Sequence, residues 1–340
     1  MGGNALKKYG ISTSRKETDE FIRIGKVITN QMKKDLNAET VIVKSFHTKD
    51  SHGDADVLFK RTAETKDIDM AEYVKVFNPQ AIYNNSGVVS FDYDDFQVDI
   101  ISINEDDWDV AQTYFSYDPL GNIMGKVFHK FGLSYGWNGL TYKFRSFSGS
   151  LSKSINVSKD ARRIFEFAGY DYDRYLEGFE TVEDIFKYLI SNKFFDPIMF
   201  EFENLKHIDR KRNLRRKSYH TFIEYLKENK IPKVYEFNPS KDAYLPMIDE
   251  FFPEVNILEQ IKTFTDQNVL NKLISEKFNG NHIMEMFPEL KGKELGYAIS
   301  KYKEMFGTVD EYNEVILEYS FEEICADFKW YYNNVLKSND

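Results

Sequence analysis

The chain has 340 residues, 42% of them apolar, and a formal net charge of −10, which predicts about two domains and excludes a protein that binds nucleic acid through its overall field. Its single cysteine, Cys325, excludes an intramolecular disulfide framework and favours a reducing compartment. No apolar run approaches the roughly 18–20 residues that cross a bilayer, and the N-terminus lacks the apolar core of a signal peptide, so we predict a cytoplasmic protein with no membrane partner.

The first 105 residues predict a helix followed by a mixed sheet. Ser14 and Glu17 fit a capping box at the start of the helix. The apolar residues that follow recur at helical spacing and predict one buried helix face: Phe21, Ile24, Ile28 and Met32. Two strand-like segments come next, "ETVIVKSF" and "DADVLFK", joined by the polar loop "HTKDSHG". Residues 81–103 predict a β-hairpin, because two β-rich segments flank a turn at Asp94 and Asp95.

Beyond residue 155 the pattern becomes mainly helical. Five segments carry it: "SKDARRIFEFAGY", "TVEDIFKYLISN", "RKSYHTFIEYLKEN", "NILEQIKTFTDQNVLNKLISEKF" and "SFEEICADFKWYYNNVL". We therefore predict an α/β fold, with a mixed sheet and helices over residues 1–150 and a mainly helical domain over residues 151–340. The boundary is expected in "RSFSGSLSKSINVS", between residues 145 and 158.

Three acids of the predicted sheet point to a metal site. Asp54 and Asp56 are two apart on a strand, so both side chains point to the same face and repel each other unless a cation lies between them. Asp99 lies within a second apolar strand, where a carboxylate is expensive to bury alone. If the two strands are neighbours, the three acids form a site for two Mg²⁺ or Mn²⁺ ions about 3.5–4 Å apart. His47 and His52 flank this segment without metal-ligand companions, which favours supporting or surface roles.

The segment "SFHTKDSHGDADVLF" resembles the signature of the DNA polymerase β-like nucleotidyltransferase superfamily, in which a glycine–serine pair and a short loop precede an acid-x-acid strand. "TYFSYD", after Asp99, resembles the tyrosine–phenylalanine segment of the family X DNA polymerases. The resemblance covers roughly residues 40–145, with Lys44 at the position of the family's glycine. It implies a nucleotidyltransferase palm whose catalytic and metal-binding residues are Asp54, Asp56 and Asp99. It also implies that the incoming nucleoside triphosphate contacts a wider set: Lys44, Ser45, Thr48, Lys49, Tyr114 and Phe115.

Two later segments suggest a nucleic-acid acceptor. Residues 278–307, "FNGNHIMEMFPELKGKELGYAISKYKEMFG", resemble the tail of tRNA nucleotidyltransferases, which implies a helix start near Gly280 that holds an RNA phosphate. Residues 206–220 form the densest basic run of an acidic chain, and we predict that they bind a nucleic-acid backbone. The residues of this prediction are Arg210, Lys211, Arg212, Arg215, Arg216 and Lys217.

These patterns together predict a metal-dependent nucleotidyltransferase that moves a nucleoside monophosphate from a nucleoside triphosphate to the 3′-hydroxyl of a nucleic acid, with an RNA or tRNA end favoured. Three alternatives stay open at this point. The first is a minimal family X-like DNA polymerase, and the second is nucleotidyl transfer to a protein or small molecule. The third is a non-catalytic nucleic-acid-binding protein that keeps the palm as a scaffold.

Overall fold

The computed structural model describes residues 4–85, 87–145 and 152–337. They form two compact units, the first made of residues 4–145 and 152–257 and the second of residues 258–337. The first unit holds a mixed α/β arrangement, and helices dominate the second, so the predicted order of a mixed sheet followed by helices is confirmed. No helix within the described ranges is long and apolar enough to cross a membrane.

The strands account for three sheets. Their bounds are β1 Lys16–Glu17, β2 Thr40–Ile42, β3 Ser51–His52, β4 Asp54–Arg61, β5 Ile82–Asn85, β6 Val88–Tyr93, β7 Phe96–Asn104, β8 Leu133–Gly136, β9 Gly139–Arg145 and β10 Ser152–Ser158. The main sheet has the order β2-β4-β7-β6-β5, in which β4 and β7 run parallel and every other neighbouring pair runs antiparallel. Strands β8, β9 and β10 form a separate antiparallel sheet, and β1 pairs with β3.

The α-helices are α1 Thr18–Leu36, α2 Met70–Tyr73, α3 Trp108–Phe115, α4 Leu120–Lys130, α5 Ala161–Phe167, α6 Tyr172–Leu176, α7 Val182–Ile190, α8 His207–Asn213, α9 Lys217–Glu228, α10 Leu245–Phe251, α11 Ile257–Lys277, α12 Gly280–Met286, α13 Gly292–Glu304, α14 Val309–Glu318 and α15 Phe321–Tyr331. Short 3₁₀ helices occur at Ala5–Tyr9, Val74–Phe77, Glu105–Asp107, Pro197–Phe200, Phe202–Asn204, Lys241–Tyr244 and Pro253–Val255, and a π-helical turn at Tyr332–Leu336. The five predicted helical segments are confirmed as α5, α7, α9, α11 and α15.

The start of α1 differs from the prediction. Its N-cap residue is Glu17, and the backbone and hydroxyl of Ser14 instead donate hydrogen bonds to the Asp95 carbonyl. The predicted capping box at Ser14 is therefore wrong. Residues Lys16–Glu17 pair with Ser51–His52 as β1 and β3, and this long-range pairing replaces the local cap.

Strand alternation gives the main sheet one mainly apolar face. Ala55, Val57 and Phe59 of β4 share this face with the alternate residues of β6 and β7, and the buried stripe of α1 packs against it. The predicted hairpin is confirmed as β6 and β7. Its turn residues Asp94 and Asp95 have φ of 55° and 56°, a geometry in which Asp is better tolerated than most side chains.

The opposite face divides into two halves along the strands. Leu58, Ile101 and Ile103 make one half apolar, and Trp108 and Ala111 of α3 cover it. The other half is polar and contains the alternate residues of β4, β6 and β7 at the opposite end of the same strands: Asp54, Asp56, Ser90, Asp92, Gln97 and Asp99. The candidate site therefore lies on the polar half of this sheet face.

The division between the two units does not fall at the predicted boundary near residue 150. Phe131, at the end of α4, makes edge contacts with Phe167 at 5.5 Å, Phe194 at 5.0 Å and Tyr244 at 4.9 Å between ring centroids. Aromatic rings in this geometry bury large apolar areas. The helices from α5 to α10 therefore belong to the same compact unit as the sheet.

The second unit has an apolar core of its own. Phe278, Ile283, Ile316 and Phe328 are buried in it. Cys325 is also buried there as a free thiol, and burial raises its pKa, which makes the thiol less reactive.

Candidate active site

The polar half of the sheet brings together the three predicted acids, here called the carboxylate cluster: Asp54, Asp56 and Asp99. Asp56 and Asp99 occupy paired positions on the parallel strands β4 and β7. Asp54 precedes Asp56 by two residues, so its side chain points to the same face, next to Gln97 in register. Adjacent strands lie about 4.8 Å apart, and all three carboxylates therefore share one small area of the sheet.

The carboxylate cluster is electrostatically unfavourable by itself. The pKa of Asp56 is raised well above its ordinary value, first by burial and then by the charges of Asp54 and Asp99. Burial also raises the pKa of Asp99 to about 6, and the charge of Asp54 adds to this. The fold holds together acids that disfavour one another's ionised form, which is typical of a functional site rather than of a packing site.

The ligand atoms that the cluster offers suit a divalent metal ion. Its ligands are all carboxylate oxygens, the donors that Mg²⁺ and Mn²⁺ prefer, and an added positive charge would relieve the repulsion that raises both pKa values. Among the described residues, no three His, Cys, Asp or Glu side chains already converge on one ion position. Asp56 and Asp99 are nevertheless neighbours on paired strands, so side-chain rotation brings their oxygens within reach of a common ion.

Asp99 is oriented by two residues that sequence reasoning missed. Gln97 Nε2 lies 3.0 Å from each carboxylate oxygen of Asp99, and Ser90 on β6 donates a side-chain hydrogen bond to the same carboxylate. Both donors lower the pKa of Asp99 and so oppose the effect of burial. Gln97 was detectable in principle, because it precedes Asp99 by two residues in the same strand and so shares its face.

The loop before β4 places a lysine beside the cluster. The pKa of Lys49 is lowered by burial, and the charges of Asp118, Asp54 and Asp56 oppose that shift. The side chain of Lys49 is therefore close enough to these acids to feel their field. Its carbonyl accepts a hydrogen bond from the Thr18 hydroxyl at the start of α1, which fixes the end of the loop.

Other residues of this loop are engaged in holding its shape. The Thr48 backbone N–H and hydroxyl both donate to the Glu180 carbonyl, at 2.9 and 2.8 Å, and the His47 N–H donates to the Phe179 carbonyl at 3.0 Å. The Lys44 carbonyl accepts from the Tyr117 N–H at 2.8 Å. These contacts engage both donors of Thr48 within the protein, while Lys49 lies within the field of the carboxylates.

The remaining predicted nucleotide contacts differ in their exposure and packing. The side chain of Lys44 is exposed, and that of Ser45 is half-buried. Phe115 packs at the border of the apolar cluster that α3 covers, and Tyr114 makes edge contacts with Phe115 at 5.3 Å and Tyr135 at 5.4 Å. Both rings are half-buried, so packing accounts for much of their surface.

Part of the basic run lies beside the cluster through Asp118, another residue that sequence reasoning missed. Arg216 Nη1 is 4.0 Å from Asp118 Oδ1, and Ser218 Oγ donates to Asp118 Oδ2 at 2.5 Å. The charge of Asp118 acts on Lys49 and on Asp56. Arg216 and Lys49 therefore both lie near the Asp118 carboxylate, although 167 residues separate them in the sequence.

The other basic residues serve two different purposes. Arg210 donates to the carbonyls of Phe202, Glu203 and Leu205, at 2.8, 3.1 and 3.2 Å, which is a structural role. Lys211, Arg212, Arg215 and Lys217 are exposed. Arg212 and Arg216 lower the pKa of Lys126 on α4, after the larger effect of burial, so these three cations are close neighbours.

The two histidines near the cluster have supporting positions. His52 is buried and stacks on Phe21 at 3.7 Å between ring centroids, and burial lowers its pKa to about 4. It is neutral at physiological pH and contributes to packing. His47 is exposed, with Nδ1 3.1 Å from Glu180 Oε2.

The C-terminal segment adopts the helices that its pattern suggested. Gly280 begins α12 and Gly292 begins α13. At the start of α12, the Asn279 side chain accepts hydrogen bonds from the backbone N–H groups of Asn281 and His282, at 2.8 and 3.4 Å. Two of the donors proposed to hold an RNA phosphate are thus already satisfied by a cap. Comparison with known proteins adds no assignment, because no protein-family model and no curated protein sequence matches the chain.

Proposed function

We propose that the chain is a metal-dependent nucleotidyltransferase with a DNA polymerase β-like palm, which transfers a nucleoside monophosphate from a nucleoside triphosphate to the 3′-hydroxyl of a nucleic acid. The pairing of Asp56 with Asp99 on neighbouring parallel strands, with Asp54 on the same face, is the observation that carries the proposal. A non-catalytic scaffold has no need to keep three acids so close together that burial and neighbouring carboxylates raise the pKa values of Asp56 and Asp99.

Asp54 and Asp56 would hold both divalent ions, and Asp99 would hold the one nearer the acceptor. Such ions, when bound, neutralise phosphate charge and make the acceptor hydroxyl more acidic. Asp99, oriented by Gln97 and Ser90, accepts or directs the proton of the attacking 3′-hydroxyl. As the new oxygen–phosphorus bond forms at the α-phosphate, the bond to the bridging oxygen breaks and pyrophosphate leaves.

Two cations near the cluster suit the charge of a triphosphate. Lys49 approaches from the loop before β4, and Arg216 approaches from the start of α9. Their positive charges would offset the charge that develops on the leaving pyrophosphate. Positioning and charge neutralisation supply most of the catalysis in reactions of this class.

The basic residues support a nucleic-acid acceptor. Arg212 and Arg215 are exposed and belong to the segment that carries Arg216 to the cluster, so a phosphate backbone bound there would lie near the reacting atoms. The preference for RNA comes from the resemblance of residues 278–307 to tRNA nucleotidyltransferases.

A labelling experiment tests this function. The full-length protein would be incubated with Mg²⁺ or Mn²⁺, each labelled nucleoside triphosphate in turn, and tRNA, oligo-RNA or primed DNA. We expect label on the 3′ end of RNA and release of pyrophosphate. Label on primed DNA in a template-dependent order would support the DNA polymerase instead, and label retained on protein would support a protein acceptor. No transfer to any acceptor would contradict the proposal.

The acceptor surface has a separate test. Replacing two exposed arginines, Arg212→Gln with Arg215→Gln, should weaken tRNA binding about tenfold and lower the slope of log affinity against log salt by about 1 to 2. Lys227→Gln with Lys230→Gln is the matched control, because it removes the same charge from exposed positions at the far end of α9. Equal losses in both double variants would show that only net charge matters and would remove the basic run from the acceptor site.

A further inference from the structure

A partly buried relay of hydrogen bonds joins the N-terminal segment to the carboxylate cluster. The Ala5 backbone N–H donates to Gln97 Oε1 at 2.8 Å, and Gln97 Nε2 lies 3.0 Å from both oxygens of Asp99. Gln97 is only 2% exposed. Because a backbone N–H can only donate, the Gln97 oxygen has to face Ala5, and this leaves the amide NH₂ to face Asp99.

Contacts outside the cluster hold the first member of this relay in place. Ala5 begins the 3₁₀ helix Ala5–Tyr9, whose Leu6 side chain is 1% exposed. The Lys8 ammonium lies 3.1 Å from the centroid of the Tyr83 ring on β5, and this helix ends at Gly10 with φ of 80°. The N-terminal segment is thus anchored on the edge of the main sheet, and the position of its Ala5 N–H is set independently of Asp99.

We propose that Gln97 is a positioning residue for the transfer reaction and that the N-terminal segment, through the Ala5 N–H, is part of the active site. This inference rests on the proposed function. Asp99 faces two like charges, so its carboxylate would rotate away from Asp54 and Asp56 unless a donor held it. The Gln97 amide holds both oxygens at once, and the Ala5 N–H prevents that amide from turning over.

The first test replaces Gln97 by an apolar residue of similar length, Gln97→Met. Outer-shell partners of metal ligands typically change activity or metal affinity 10- to 100-fold, and we expect kcat to fall within about that range while KM for the nucleoside triphosphate changes less than about twofold. Mn²⁺ should raise the unfolding temperature of Gln97→Met less than that of the wild type. Reaching half of the maximum rise should take about tenfold more Mn²⁺ in the variant. A residue that only fills the core would lower the unfolding temperature without changing this Mn²⁺ dependence.

The second test removes the backbone donor, by Ala5→Pro. Proline lacks the N–H, and Ala5→Gly is the matched control because it keeps the N–H. Proline also disfavours the ψ of 1° at Asn4, so the double variant with Gln97→Met separates that backbone effect from loss of the donor. We expect Ala5→Pro to lower kcat several-fold in the wild-type background and to have no further effect together with Gln97→Met. Effects that multiply in the double variant would overturn the relay.

These outcomes separate the inference from the proposed function. If the wild type transfers nucleotide but Gln97→Met changes neither kcat nor the Mn²⁺ dependence, the inference alone fails. If the wild type transfers no nucleotide, yet Mn²⁺ raises its unfolding temperature and Gln97→Met weakens that rise, the relay stands and the proposed reaction fails. A wild-type chain that transfers no nucleotide and that Mn²⁺ does not stabilise overturns both. Should Gln97→Met not fold, Ala5→Pro against Ala5→Gly decides the question with the same two measurements.

Discussion

The carboxylates in the polar half of the main sheet and those at the helix starts of the second unit have pKa values shifted in opposite directions. In the second unit, Thr308 with Glu311 and Ser320 with Glu323 form reciprocal capping boxes, so each carboxylate satisfies a backbone donor and its pKa is lowered. In the carboxylate cluster the acids are held beside one another, and burial and mutual repulsion raise the pKa values of Asp56 and Asp99. The first arrangement stabilises local structure. The second costs stability, as the acids of the proposed active site would be expected to do.

The largest effect that this contrast predicts is on activity. Asp56→Asn keeps the shape of the side chain but removes the charge that would bind both ions, and we expect nucleotide incorporation to fall by about a thousandfold or more. Asp92→Asn is the matched control. Asp92 is also a buried acid on this sheet face, and its Oδ1 accepts a hydrogen bond from the Ala81 N–H, which Asn can keep. Equal activity of Asp56→Asn and wild type in the labelling assay would remove the cluster from the mechanism.

The second prediction concerns stability and its pH dependence in metal-free buffer. The pKa of Asp99 is about 6 in the folded protein and has its ordinary lower value in the unfolded chain. The unfolded chain therefore releases this proton first, and the wild type loses stability as the pH rises from about 4 to about 6. Asp99→Asn escapes this loss, so its stability relative to wild type should increase across that window by about 2 kcal/mol. Urea denaturation with EDTA at several pH values measures it.

Asp173→Asn is a control whose stability relative to wild type should change with pH in the opposite direction. Asp173 lies 2.6 Å from Arg162, a contact that lowers its pKa. This variant should be less stable than wild type above about pH 4 and should approach wild type as the pH falls. If Asp99→Asn follows the pattern of Asp173→Asn, the acids of the cluster do not oppose one another in the folded protein.

Much of the fold followed from local patterns. The helices α7, α9 and α15 carry apolar stripes and polar starts that depend on few distant residues, and the hairpin of β6 and β7 has its turn in Asp94 and Asp95. The capping box expected at Ser14 was wrong because pairing between β1 and β3 determines that segment. The boundary expected near residue 150 did not match the compact units because the contacts of Phe131 join residues far apart in the chain.

The candidate site was predictable only in part, for the same physical reason. The two-residue spacing of Asp54 and Asp56 places them on one face of a strand whatever the tertiary structure is. Their proximity to Asp99 required the parallel pairing of β4 with β7, which no local pattern specifies. Asp118 and Arg216 reach the site from a loop and a helix start, and neither position has a periodicity that identifies it.

The smallest predicted effect lies in the second unit. Ser320→Ala removes the hydroxyl that accepts from the Glu323 N–H at 3.2 Å, and it should lower the free energy of unfolding by about 1 kcal/mol. Mn²⁺ should not change this loss, since the cap is separate from the carboxylate cluster. Urea denaturation with and without Mn²⁺ tests it. If Mn²⁺ cancelled the stability loss of Ser320→Ala, the cap and the carboxylate cluster would not be independent, and the contrast between the two regions would be wrong.

Calorimetric titration of Mn²⁺ into metal-free, full-length protein tests the central claim most directly. The wild type should bind Mn²⁺ with a stoichiometry approaching two, because Asp54, Asp56 and Asp99 face one area of the sheet. Asp92→Asn should give the same isotherm, and Asp56→Asn should lose the binding heat. The same Mn²⁺ binding in Asp56→Asn and wild type, or no binding in wild type, would contradict the account.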